Sequence, residues 1–566
     1  MIQSSFQRRT FLRSLSASLL ASYAPLTAAQ PGSESPLDEF ITRYMQAMNA
    51  PGLTLALVNK SGPVRTAGFG YSDLELKTPV TVDLLFEIGS ITKSFVALTL
   101  LQLRDEGKLD LQRPILDYLP WLPIEANYGA ITVHHLLTHS SGLPDALSLF
   151  LSDPQARHVQ AFKPGEHFHY CNLGFSALGY LIQKLDGRAW PEAAQSRIFS
   201  PLGMTSTRAV INDRTKDLRA RSYLPFYGDV TYQRNGRLGL APDITFDNAA
   251  GSITSTPGDM ARYLQMLLNR GQYAQGRIVS EESFAAFSKP YIEAPELSPT
   301  ASYGYGIAVD KLDGHTILRH TGGMVSFASS IHVDLDGGVA AFASINAMQG
   351  YRPTPVTQFA VQLMNAKAEN TQAPLPLALP NPNVQDARDY AGIYTSMDGK
   401  SLEVVAESGR LQILSGTAVI QLEQSNGDVF LTSAQGWDRF PLLFGRAEVP
   451  AKSKEKGQVV ELSHGSDWYA KASYIGPRSY PESAELKVFT GFYESDSAWS
   501  GSVRIVLRKG TLWADGVTPL QPIGNALFRV GEKSYIPDTA EFHYIVGGKA
   551  QLMKWNGADL WRIATE

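Results

Sequence analysis

The sequence predicts an α+β chain that ends in two small antiparallel β-barrels, and three observations carry that expectation. First, up to residue 365 helical and strand patterns are mixed. The apolar run after Lys93, the stretch Leu173 to Ile182 and the start at Thr256 read as helices, whereas Thr316 to Arg319 and Val325 to Val333 read as paired strands with a tight turn. At Thr256 the N-cap signal is followed by Pro257 at the first helical position and Asp259 at the third. Second, residues 366–386 hold Pro374, Pro376, Pro380 and Pro382 among small and polar residues, the composition of a linker. Third, the texture beyond it changes to short alternating runs with glycine turns, as in Leu402, Val404 and Val405 or Val503, Ile505 and Leu507.

Those runs repeat. Tyr390-Ala391-Gly392-Ile393-Tyr394 matches Phe489-Thr490-Gly491-Phe492-Tyr493, and Gly409-Arg410-Leu411 matches Gly510-Thr511-Leu512. Gly465-Ser466-Asp467-Trp468 likewise matches Gly557-Ala558-Asp559-Leu560. The near-constant offset marks a duplicated unit of about 90 residues. Each unit reads as a small barrel, because closure removes the exposed sheet edges. The expected boundaries are an export signal over 1–29, a catalytic domain over 30–365, the linker over 366–386, and barrels over 387–480 and 481–566. At 566 residues, and roughly 100 to 200 residues per domain, three or four units are expected.

Composition is that of a soluble globular chain, 44% apolar and 10% aromatic with a net charge of −4. No basic stripe points to nucleic acid. Arg8 and Arg9 precede the apolar and small-residue stretch Ser14 to Pro25 and then Thr27-Ala28-Ala29, which resembles a twin-arginine export signal and predicts a periplasmic or secreted protein. No other run approaches the ~20 apolar residues of a membrane span. Cys171 is the single cysteine, so no internal disulfide forms.

The chemistry is expected at three short motifs. Ser90 and Lys93 are three residues apart at the start of an apolar helix, about one turn, so hydroxyl and amine share a face. A neutral lysine there can take the serine proton as the oxygen attacks, and such neutrality calls for burial and neighbouring positive charge. Tyr170-Cys171-Asn172, after Pro164 and Gly165, reads as a loop delivering polar side chains to a helix start. His320-Thr321-Gly322-Gly323 lies between the two predicted strands, where Gly322 leaves room for a substrate strand.

Taken in order, Ser-x-x-Lys, Tyr-x-Asn and basic residue-Thr-Gly resemble the serine β-lactamase and penicillin-binding protein superfamily, in its class C-like branch, over roughly residues 37 to 365. Leu136 to Leu143 and Gly251 to Tyr263 fit as structural landmarks. The resemblance implies a β-lactamase/transpeptidase-like domain, an antiparallel sheet flanked by helices. It implies that Ser90 forms an acyl-enzyme, that Tyr170 passes the proton to the leaving group, and that Asn172 bonds Lys93 and the substrate amide. The oxyanion hole it implies is the backbone N–H groups of Ser90 and Gly323. His320, Thr321, Gly322 and Gly323 complete the expected substrate-binding set. Where many relatives carry lysine this chain has His320, mostly neutral at pH 7, so a weaker carboxylate anchor is expected. A histidine there is familiar in D-aminopeptidase and family VIII esterase relatives. With two lipocalin-like barrels, the architecture is most similar to bacterial D-aminopeptidase, where a loop of the last barrel helps hold the substrate amine. The matching region here, Trp513 to Pro522, carries Asp515 and is otherwise uncharged, so the architecture is carried over and the amine anchor is not.

A serine hydrolase acting on a small peptide or ester is therefore expected, most readily a peptidase for short peptides with D- or unusual residues, with carboxylesterase or β-lactamase as alternatives and no cofactor. A non-catalytic peptide- or peptidoglycan-binding protein is the alternative of another class. Cys171 with His167 or His169 is a weaker nucleophile candidate, and reads better as a packed residue. His134, His135, His139, His167 and His169 lack a carboxylate at ligand spacing, so no metal site is expected.

Overall fold

The computed structural model describes residues 35–564 except 229, 232–235, 350–351, 380–382, 385, 450–455 and 482. The expected export signal over 1–29, and Pro380 and Pro382 of the linker, lie outside the described residues.

Strand Gly52–Asn59 is buried on both faces and lies inside a nine-stranded sheet, third from one edge. Its neighbours are Val339–Ile345 on one side and Gly62–Asp73 on the other, and every adjacent pair in the sheet is antiparallel. Side chains alternate across a strand, so Leu53, Leu55 and Leu57 face one layer and Ala56 and Val58 the other. The first layer is helices Pro36–Met48 and Thr354–Glu369, joined through Phe40 and Phe359 with ring centroids 4.9 Å apart. The second holds helices Thr92–Asp105 and Pro257–Leu268, with Phe95 stacked on Tyr263 at 3.8 Å. Thr256 caps the latter helix, accepting from the Asp259 N–H at 3.2 Å. Helix Thr92–Asp105 is buried almost all round from Thr92 to Leu103, which fixes the Ser90–Lys93 end rigidly between sheet and helices.

The β-lactamase-like domain is followed by two closed barrels of eight strands each, Gly392–Ser396 to Asp467–Ala470 and Gly491–Glu494 to Ala558–Ile563. First and last strands pair, Thr395 with Ala470 and Phe492 with Ile563, leaving no edge. The sequence repeat has a structural counterpart. Tyr394 and Tyr493 are both fully buried, and their hydroxyls donate to the carbonyls of Tyr390 at 2.6 Å and Phe489 at 2.8 Å, each four residues back. Among the described residues no helix is long and apolar enough to cross a membrane.

Candidate active site

Strand Phe86–Glu87 pairs with Thr254–Ser255 and leads into a tight turn over Gly89–Ile91 before the helix. Gly89 takes φ +53°, and a Cβ there would strike the Gly323 backbone. Only glycine lets the turn close against the strand carrying the third motif. That turn brings Ser90 Oγ to 3.0 Å from Lys93 Nζ.

Lys93 is fully buried, and its amine meets two atoms that can only accept: the Ala250 carbonyl at 2.8 Å and Asn172 Oδ1 at 2.7 Å. Two N–H bonds therefore point to these acceptors, and a neutral amine directs its lone pair at the Ser90 hydroxyl. Burial lowers the Lys93 pKa from 10.5 to about 7, against the opposing influence of Asp145 and Cys171. The expected neighbouring positive charge is not its cause; the groups that act on it are acids, and desolvation outweighs them. The amide of Asn172 is oriented by Asp145, whose Oδ1 accepts from Asn172 Nδ2 and from the Asn172 backbone N–H, both at 2.9 Å.

Tyr170 lies across Lys93, with Nζ 4.9 Å from the ring centroid, and the Ser90 side chain is among the groups that act on its hydroxyl. Burial raises the phenol pKa, so its proton is held at neutral pH. Next to it, Cys171 caps helix Asn172–Asp186, accepting from the Gly174 N–H at 3.4 Å and donating to the Pro144 carbonyl at 3.2 Å. The thiol is buried and its pKa is raised, so it is a packed cap and the weak nucleophile candidate falls away. Among the described residues no group of histidines and acids could hold a metal.

On strand His315–Gly323, His320 and Gly322 point into the core while Thr321 and Gly323 are half-exposed. His320 Nε2 accepts from the Tyr303 hydroxyl at 2.8 Å and its Nδ1 hydrogen points to the Thr321 carbonyl at 2.6 Å, a tautomer set by these two partners. Burial, and after it Lys93, lowers its pKa to about 3, so the ring is neutral. The absent side chain of Gly322 faces the Ile88 carbonyl and Ser329 Oγ, so this glycine admits the turn before Ser90. Gly323, by contrast, faces the Arg352 guanidinium, which would have to shift to admit a Cβ.

A cavity of about 1200 Å³ opens over Ser90, Asn172 and Gly323. Its catalytic-domain walls include Asp145, Phe246, Met348 and Arg352. The opposite wall comes from the second barrel, through Ser495–Ser500 and Trp555–Trp561, with Trp499 packed on Phe246 at 4.2 Å. Trp513 to Pro522, the region that matches the family's amine-holding loop, is elsewhere: Gly516 packs on Gly465 of the first barrel, and Asp515 accepts from the Arg504 N–H at 2.8 Å. Sequence reasoning also missed Arg352, Asp145 and the Ala250 carbonyl. Asp145 stands two residues beyond the landmark Leu136 to Leu143 and Ala250 just before Gly251, but no spacing rule marks either.

A serine in the turn that enters a helix and a lysine on that helix's first turn, set against a glycine-bearing strand, define a serine hydrolase of the β-lactamase and penicillin-binding protein type. The family described as Beta-lactamase matches residues 37–363, and the chain belongs to it. The chain is 25% identical over 403 residues to Penicillin-binding protein 4* of Bacillus subtilis (strain 168), covering 65% of this chain and 84% of that protein. It is 23% identical over 360 residues to Protein flp of Staphylococcus aureus (strain COL), covering 60% and 68%. The octameric penicillin-binding protein homologue from Pyrococcus abyssi superposes with a TM-score of 0.53 at 25% identity, over 77% of this chain and 99% of that one.

Proposed function

We propose that the protein is a serine peptidase of short peptides that works through an acyl-enzyme on Ser90. The observation that carries the reading is the Lys93 amine, buried, depressed to about 7, and turned by two acceptors toward Ser90 Oγ at 3.0 Å. Lys93 takes the Ser90 proton as Oγ attacks the carbonyl carbon, and the developing oxyanion is held by the N–H groups of Ser90 and Gly323. Tyr170, whose phenol keeps its proton, relays it to the leaving amine. Water then attacks the acyl-enzyme and frees the acid.

The cavity supports a short, doubly charged substrate. Arg352 beside Gly323 supplies a cation on the catalytic side, and Asp496 and Asp559 bring carboxylates on the barrel side. Such a pair of walls fits a peptide with both termini free, and the second barrel limits its length. Arg352 restores the carboxylate anchor that His320 alone does not provide. A periplasmic or secreted setting is part of the same proposal. The test is a rate panel on the full chain with aminoacyl anilides, dipeptides, longer peptides, p-nitrophenyl esters and nitrocefin. Highest kcat/KM on short peptides supports the reading, and turnover confined to esters or nitrocefin overturns it.

A further inference from the structure

The second barrel walls the cavity, but two of its residues also reach past the wall to the residue that aims Asn172. Asp145 lies in the irregular segment 142–146, so its backbone groups have no helix or strand ladder to satisfy them. The second barrel satisfies both. The Asp145 N–H donates to Asp538 Oδ1 at 2.9 Å, and the Asp145 carbonyl accepts from Asn556 Nδ2 at 3.0 Å. The same Nδ2 donates its other hydrogen to Asp538 Oδ1 at 3.0 Å, closing a ring of three residues. Asn556 is itself held rigidly, with its Oδ1 accepting from the Thr539 N–H at 2.8 Å and its own N–H donating to the Thr539 carbonyl at 2.9 Å. His169, which precedes Tyr170, brings Nε2 to 3.4 Å from the same Asp538 oxygen.

We infer that Asp538 and Asn556 are positioning residues for Lys93, acting through Asp145 and Asn172, an inference that rests on the proton-acceptor role of Lys93 proposed above. The chain of contacts is continuous. The barrel fixes the Asp145 backbone, Asp145 Oδ1 takes the Asn172 Nδ2 hydrogen, and Asn172 Oδ1 is thereby left facing Lys93 Nζ at 2.7 Å. Were Asp145 displaced, the amide could turn over and present its NH2 to the amine. A donor in that place competes with the Ser90 hydroxyl for the one lone pair of Lys93, and the proton acceptor is lost without any atom of the catalytic domain being removed. The barrel thus completes the catalytic apparatus.

The test uses the full chain, p-nitrophenyl acetate, which is too small to need the barrel wall, and a fluorophosphonate that labels the activated serine. Asp538→Ala and Asn556→Ala are each expected to lower kcat about tenfold with KM within about twofold, and to slow Ser90 labelling by the same factor. Asp538→Asn, which keeps an acceptor for the Asp145 N–H, should recover most of the loss. Because the residues act in series, Asp538→Ala combined with Asp145→Ala should be no slower than Asp145→Ala alone. Tyr535→Ala removes a ring stacked 3.9 Å from His167 in the same domain contact but outside the chain of bonds, and should leave both rates within about twofold. Should Asp538→Ala fail to fold, Asn556→Ala cuts the same ring from the other side. Unchanged rates in Asn556→Ala, an equal loss in Tyr535→Ala, or additive losses in the double variant overturn the inference. Absence of labelling at Ser90 in the unaltered protein overturns instead the serine-hydrolase reading beneath it.

Discussion

The two barrels share a plan and differ in what their matching turns touch. In the first, the turn before the last strand is Gly465-Ser466, and the Gly465 carbonyl accepts from Arg508 Nη1 of the second barrel at 2.9 Å. In the second, the two turn residues at the same place, Asn556 and Gly557, meet the catalytic domain instead, Asn556 at Asp145 and Gly557 against the Leu151 side chain, where a Cβ would collide. The turn after the first strand differs as well. Between Ser396 and Ser401 the first barrel closes tightly, with the Gly399 N–H bonded to the Ser396 carbonyl at 3.1 Å. Its counterpart runs from Glu494 to Ser502 and lays Asp496 and Trp499 along the cavity. One copy docks its twin, and the other walls the cavity over Ser90; the cores, built around Tyr394 and Tyr493, are alike.

The largest expected effect tests whether there is catalysis for a wall to serve. Ser90→Ala or Lys93→Ala, with both barrels intact, should lower turnover by at least about a thousandfold, since members of one catalytic unit fail together. Retention of a tenth of the activity by either variant would leave the special face of the second barrel without a purpose. The next effect sharpens the comparison directly. Asn556→Gly, which gives the second barrel the residue at that place in the first barrel's turn, should cost about tenfold in kcat on a small ester, whereas Ser466→Gly in the first barrel's turn should change it less than about twofold. Equal responses in steady-state assays would erase the distinction between the turns. The smallest effect concerns what the barrels share. Tyr394→Phe and Tyr493→Phe each strand a buried carbonyl and should lower stability by about 1 kcal/mol in denaturant titrations, with kcat unaltered. A tenfold fall in kcat from Tyr493→Phe alone would mean that its core, and not only its loops, is tied to the site.

Local spacing made much of this legible in the sequence. Ser90 and Lys93 meet because three residues make a helical turn, Cys171 and Asn172 open a helix as their loop setting implied, and the duplicated Tyr-containing motif marks the same buried hydroxyl in each barrel. What escaped detection depends on contacts across hundreds of residues. Asp145 acquires its role only when Asp538 and Asn556 arrive from the far end of the chain, and the Ala250 carbonyl is a backbone atom with no side-chain signature. Arg352 is an ordinary arginine until the fold lays it beside Gly323. The lack of charge beyond Asp515 already set Trp513 to Pro522 apart from an amine anchor, but its packing against Gly465 of the first barrel has no local signal.

The proposed catalysis depends on a neutral Lys93 accepting the proton of Ser90, and the rate of fluorophosphonate labelling at Ser90 as a function of pH measures that step alone. The amine is buried among Asp145, Tyr170, Cys171, His139 and His320; burial keeps both imidazoles neutral and raises the phenol and thiol pKa values, so none of these four groups titrates near neutrality. With the Lys93 pKa lowered to about 7, the protonated amine dominates below that pH and the free base above it. Asp145, whose own pKa burial raises, shares the proton equilibrium with Lys93, so the labelling rate should rise with pH across neutrality and level off above it, with the adduct mapped by mass spectrometry to the peptide holding Ser90. A rate independent of pH from 5 to 9, or an adduct on any other residue, would contradict it.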